Sequence, residues 1–138
     1  RIAIAHRDGF GERGQDEISR FLVSELWSRL RNPDLVHHAE IPVFAPGGSG
    51  EWIDGVIDLL CVWDGSGRTA VIDWKTNRRA KGESDSALLE RLEATYGGQL
   101  RAYGSALVRS RGTTSPELHN YSSAAGETVT IEVVGSVL

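Results

Sequence analysis

Gly55-Val-Ile-Asp-Leu-Leu-Cys-Val-Trp63, Asp64-Gly-Ser-Gly67 and Thr69-Ala-Val-Ile-Asp-Trp-Lys75 decide how this chain folds. The two outer runs are rich in β-branched and aromatic residues, and turn formers crowd the segment between them. The stretch is therefore expected to form an antiparallel hairpin. If Trp63 pairs with Arg68 across the turn, counting back along both strands sets Asp58 opposite Asp73. Directly opposite side chains lie about 4.5–5.5 Å apart at Cβ. The two-residue period of a strand puts Lys75 on the face of Asp73 and turns Trp74 away. Two carboxylates that close repel unless a cation or a shared proton lies between them. A divalent metal with a neighbouring ammonium is the simplest answer.

Upstream of the hairpin, residues 1–13 alternate weakly and turn glycine-rich, so an irregular start is expected. From Gln15 to Leu30 the apolar residues Ile18, Phe21, Leu22, Leu26 and Leu30 recur at helical spacing, with Asn32-Pro33 as the stop. Leu35 to Phe44 is expected as a strand whose proline, Pro42, belongs at an edge or bulge. Pro46-Gly-Gly-Ser-Gly50 then leads as a loop into the strand Glu51 to Trp63. Downstream, Thr76 to Asp85 is polar and expected to be mobile. A helix from Ser86 to about Ala94 is followed by Gly97-Gly98, which weakens any continuous helix there, so a second start near Tyr96 and a run to Arg111 are expected. Leu118 to Tyr121 and Thr128 to Val134 close the chain as strands around Ala125-Gly126. Helix, three strands, helices, two strands make an α/β or α+β fold.

With 138 residues, 40% hydrophobic and 25% charged, the chain suits one globular domain with one core. No apolar run approaches the roughly 20 residues of a membrane-spanning helix, and no signal-peptide pattern opens the chain. The lone cysteine, Cys61, sits mid-strand and is expected as a small core hydrophobe, which fits a reducing, cytoplasmic setting. The net charge of −4 gives no broad basic footprint, yet Arg78, Arg79 and Lys81 form a local basic run suited equally to solvent or to phosphate. A chain that opens on Arg1 and lacks methionine is expected to be a piece of a longer protein.

Gly55-x-x-Asp58, Asp73-x-Lys75 and Gln99-x-x-x-Tyr103, in this order, closely resemble the motifs of the PD-(D/E)XK nuclease superfamily, and within it the RecB-like nuclease domains of helicase–nucleases. With Glu40-Ile-Pro-Val-Phe44 and Tyr96-Gly-Gly-Gln-Leu-Arg-Ala-Tyr103 included, the match is most like the C-terminal domain of AddA-type subunits. The resemblance covers roughly residues 20–110 and implies a restriction-endonuclease-like core, a central mixed β-sheet flanked by helices, within a single domain over residues 1–138. It implies Mg²⁺-dependent DNA phosphodiester hydrolysis of exonuclease type, with Mn²⁺ as a possible substitute. Asp58, Asp73 and the carbonyl of Trp74 would hold the metal, a hard cation that prefers oxygen ligands. Lys75 would orient or deprotonate the attacking water or stabilise developing charge. Gln99 and Tyr103, four apart on one helix face, would contact the substrate. The partners implied are single-stranded DNA, the helicase portion of the same parent chain and a second subunit acting in double-strand-break repair, with no membrane involved. The sequence contains no Gly-x-x-x-x-Gly-Lys-[Ser/Thr] loop, so ATP binding would belong to the parent.

The chain also departs from that pattern. These nucleases carry a metal-ligating histidine on a helix ahead of the first strand, and His6, in Ile-Ala-His-Arg-Asp-Gly, does not match its setting. His37 and His38 fall in a strand and are expected to be structural. Glu17 and Glu25 on the first helix could substitute, and Glu40 could serve an outer role. The preferred expectation places the histidine helix upstream of Arg1. One cysteine excludes the iron–sulfur subtype. The rival reading is a catalytically inactive nuclease-fold module that binds DNA or a partner subunit.

Overall fold

A computed structural model of the chain describes residues 11–46, 50–112 and 114–133. Helices α1 (Gly11–Leu22) and α2 (Glu25–Leu30) precede strands β1 (Leu35–Pro46), β2 (Trp52–Trp63) and β3 (Thr69–Lys75). Helix α3 (Asp85–Arg111) and strands β4 (Glu117–Ser122) and β5 (Glu127–Ile131) follow. The strands form one five-stranded sheet in the order β1-β2-β3-β4-β5. Every pairing is antiparallel except β3 with β4. That parallel pair requires a crossover, and α3 supplies it. The result is an α+β architecture, as the order of elements suggested, with the mixed sheet that the resemblance implied.

Apolar side chains leave the sheet on both faces. Leu60, Val71, Leu118 and Ile131 pack under Leu100, Tyr103 and Leu107 of α3. On the opposite face Leu35, Cys61, Ala70, Ile72 and Tyr121 pack against Leu26 and Leu30 of α2, with Phe21 of α1 alongside. Cys61 is fully buried there, and burial pushes its thiol up to about 11, as suits an inert core residue.

The hairpin has the register read from its turn. Leu59 pairs with Ile72 and Val62 with Thr69, while Trp63 N–H donates to the Arg68 carbonyl at 3.0 Å. One feature of β1 and β2 departs from regular alternation. Leu35 and Leu59 pack with the α2 layer, yet Val43 and Ile57, of the same parity, pack with the α3 layer. Both strands turn over together at Glu40 and Asp58, the facing pair missing between Ala39↔Leu59 and Ile41↔Ile57. Glu40 has φ +55°, sparsely populated for a side chain of its kind. Asp58 therefore stands at a twist in the sheet.

Three helix boundaries differ from expectation. Helix α1 begins at Gly11, inside the stretch 1–13 expected to be irregular. The single helix over Gln15 to Leu30 is broken at Val23-Ser24, because Ser24 caps α2 by accepting the Trp27 N–H at 3.1 Å. Conversely, α3 runs unbroken through Gly97-Gly98. Gly97 is buried, and a Cβ there would lie 3.6 Å from Ile131 Cγ2; at Gly104 it would lie 3.1 Å from Leu118 Cδ2. Gly104 lets the helix sit close on the sheet, a Cβ at Gly97 would make only ordinary contact with Ile131, and the packing of α3 on the sheet outweighs the roughly 1 kcal/mol propensity cost of each glycine. Pro42 and Pro46 lie in β1, an edge strand, where a missing N–H is tolerated. His6, the loop residues 47–49 and the end of the last expected strand at Val134 lie outside the described residues.

Candidate active site

At the far end of the β2–β3 pairing, Asp58 and Asp73 face each other as the register requires. The Asp58 carboxylate accepts the N–H of Trp74 at 2.8 Å, so a side chain takes the place of the next backbone rung. Asp73 is buried, and its carboxylate is ion-paired with the Lys75 ammonium. Burial pushes the Asp73 carboxyl above its ordinary range, and the neighbouring Asp58 carboxylate adds to that; the Lys75 ammonium opposes both without cancelling them. Trp74 turns away and packs edge-on against Phe21 and Tyr121 at 5.3 and 5.8 Å.

Helix α3 closes this corner with two tyrosines. The Tyr96 ring lies against the Lys75 ammonium, 3.7 Å from Nζ to the ring centroid, and its hydroxyl accepts from Asn77 Nδ2 at 3.0 Å. The cation–π contact and the Asp73 carboxylate thus hold Lys75 from two sides. Tyr103, two turns on, is buried over Gly55. A Cβ at Gly55 would collide with the phenol oxygen and come within 3.0 Å of Cζ, so glycine is needed there. Burial, then the carboxylates of Asp73 and Asp58, hold the Tyr103 phenol above its usual range. Gln99 lies on the same helical stripe between the two tyrosines and is exposed, so the stripe is closed at both ends and open to solvent in the middle.

The sequence offered Tyr96 only as part of the Tyr96–Tyr103 run and not as a site residue; its spacing of three from Gln99 was the available signal. Sequence reasoning missed Asn120 altogether. Asn120 pairs with Asp73 in the parallel register, is completely buried, and has no hydrogen-bond partner at either side-chain atom. Such an amide costs about 1–3 kcal/mol, and nothing in a lone strand asparagine announces it. The segment Thr76 to Asp85, expected to be mobile, is instead tied down. Arg91 donates to the Arg78 carbonyl at 2.9 Å and to Glu83 at 2.8 Å, and Glu83 accepts the Ala80 N–H at 2.9 Å.

The remaining candidates lie elsewhere. His37 and His38 are exposed on the edge strand, and Glu25 is exposed at the start of α2. Glu17 is ion-paired with Arg78 rather than with the carboxylates. Glu40 occupies the twist opposite Asp58. A cleft of about 530 Å³ runs between β1 and the last turns of α3, and no carboxylate lines it.

A family model described as the PD-(D/E)XK nuclease superfamily matches residues 3–130. The chain belongs to that superfamily. The five-stranded mixed sheet with its helices is consistent with the restriction-endonuclease-like fold of these nucleases. No curated protein matches the chain. Superfamily members typically use divalent metals, and the donor set here suits one. Asp58 and Asp73 are hard oxygen donors side by side, and burial and mutual repulsion leave Asp73 short of positive charge even with Lys75 beside it. Among the described residues no group of three His, Cys, Asp or Glu side chains gathers here, so backbone carbonyl, water and substrate oxygens would complete the shell. No helix among the described residues is long and apolar enough to cross a membrane.

Proposed function

We propose that this chain is the metal-dependent DNA-cleaving domain of a helicase–nuclease, RecB-like and closest to the C-terminal domain of AddA-type subunits, acting as an exonuclease in double-strand-break repair. The carrying observation is the carboxylate pair at the β2–β3 twist with one ammonium beside it. Asp58, Asp73 and the Trp74 carbonyl would hold Mg²⁺ or Mn²⁺, which on binding supplies Lewis-acid polarisation of the phosphodiester and activation of a water. Asp58 keeps its orientation through the Trp74 N–H. Lys75 is held by Asp73 and Tyr96, where its ammonium can orient the attacking water or neutralise charge developing on phosphate. Tyr103 excludes solvent behind the carboxylates, and exposed Gln99 is free to meet substrate. The helicase motor of the parent chain would feed single-stranded DNA to this corner, and a second subunit would complete the machine.

The test uses linear duplex DNA with Mg²⁺ and ATP and the full-length parent. Lys75→Ala and Asp73→Ala are each expected to lower cleavage by at least about 10²-fold, with ATP hydrolysis and unwinding nearly intact. Asp73→Ala should also lose metal affinity, whereas Lys75→Ala should keep it. Full cleavage by Lys75→Ala would overturn this mechanism in favour of a scaffold that binds DNA or a partner.

A further inference from the structure

On the α1 side of the sheet, Arg13, Glu17, Arg20, Arg78, Arg79 and Ala124 line a cleft of about 320 Å³. Arg78 pairs with Glu17, and Arg79 with Asp85. Arg20 and Arg79 both donate to the Ala124 carbonyl, at 2.9 and 3.1 Å. Two acids therefore answer four guanidinium groups, and no acid among the described residues pairs with Arg13 or Arg20. This surplus of positive charge sits in a chain of net charge −4.

The cleft adjoins the carboxylate pair. The Lys75 carbonyl accepts the N–H of Ser123, the residue before Ala124, at 3.0 Å. Arg78 follows Lys75 by three residues, a reach of at most about 11 Å. Nucleotides advance about 3.4 Å along a strand, so a strand lying at Asp58 and Asp73 passes the arginines within about three nucleotides. The clamped Arg91–Glu83–Arg78 loop sets the arginines in advance, which lowers the ordering cost of binding. Planar guanidinium forks match phosphate oxygens two at a time.

We propose that this cleft binds a backbone phosphate of the DNA strand being cut, one to three nucleotides from the scissile bond. The proposal rests on the nuclease reading above. The test measures binding of a fluorescein-labelled single-stranded oligonucleotide to the chain in EDTA, between about 50 and 200 mM salt. Arg13→Gln and Arg78→Gln are each expected to weaken binding at low salt and to reduce the log K against log[salt] slope by about 0.7, the value of one lost phosphate contact. Arg78→Gln leaves Glu17 unpaired and can lose stability, so exposed Arg13 keeps the test decisive. Arg109→Gln, the same charge change in the cleft beside β1, is expected to leave the slope unchanged. Slopes in Arg13→Gln and Arg78→Gln equal to wild type would overturn the cleft alone, as would an equal fall in Arg109→Gln. A wild-type chain that does not bind the oligonucleotide would overturn the nuclease reading with it.

Discussion

Asp58 and Asp73 gather like charge where little water reaches; Arg13, Arg20, Arg78 and Arg79 gather like charge in the open. In the first region desolvation magnifies every interaction, so the Asp73 carboxyl is held above its ordinary range and the pair calls for a cation. In the second, solvent and salt screen the repulsion, and the cluster persists at small cost. The same physics, at different depth, suits the first region to the metal proposed above and the second to the proposed phosphate contact.

The largest expected effect exploits that depth. Lys75→Ala, measured by urea unfolding without divalent cation, should cost about 3 kcal/mol because it strips Asp73 of its buried partner. Arg13→Gln should stay within about 0.5 kcal/mol of wild type. Similar losses for the two would break the comparison. Next in size, Mn²⁺ at tenfold its dissociation constant should stabilise the wild type by about 1.4 kcal/mol and leave the melting curve of Asp73→Ala unmoved. An equal rise in both would place the ion elsewhere.

Asn120→Leu keeps the branched shape while removing an unpaired amide, and should add about 1 kcal/mol to the unfolding free energy. A loss instead would show that the amide has a water partner beside Asp73. The smallest effect concerns a partly buried cluster in which Glu117 meets Arg29, Arg68 and His119. Burial holds the His119 imidazole below its ordinary value of 6.5, against the pull of Glu117. Burial raises Glu117, but Arg68, Arg29 and His119 outweigh it and hold it low. A depressed folded value means stability present above pH 6.5 and lost as pH falls through the folded value of His119; Glu117 adds a further loss below pH 4.5. His119→Gln should flatten the first of these steps in unfolding experiments across pH.

The hairpin was legible because turn chemistry and β-branched runs agree at Asp64–Gly67, which fixes the register and with it the meeting of Asp58, Asp73 and Lys75. The twist at Glu40 and Asp58 was not, since it needs a positive φ at a residue that gives no sign of it. Gly97-Gly98 misled for the opposite reason: local propensity argues for a break, but the burial of Leu88, Leu92, Leu100 and Leu107 on either side of the pair decides the helix. Ser24 was a readable cap hidden by apolar spacing that continues past it. Nothing local marks the pinned loop after Lys75, because Arg91 and Tyr96, which hold it, belong to the next helix.

The unbroken α3 also makes the corner a lever. Gly104 seats the helix against Leu118, and Tyr96 lies eight residues away, about 12 Å along the axis at 1.5 Å per residue. A tilt of about 5° about that seat swings Tyr96 by roughly 1 Å, a displacement that can cost 10²-fold in rate. A methyl group added at Gly104, where it would meet Leu118 and Pro116, would work as a wedge under the arm that aims Lys75.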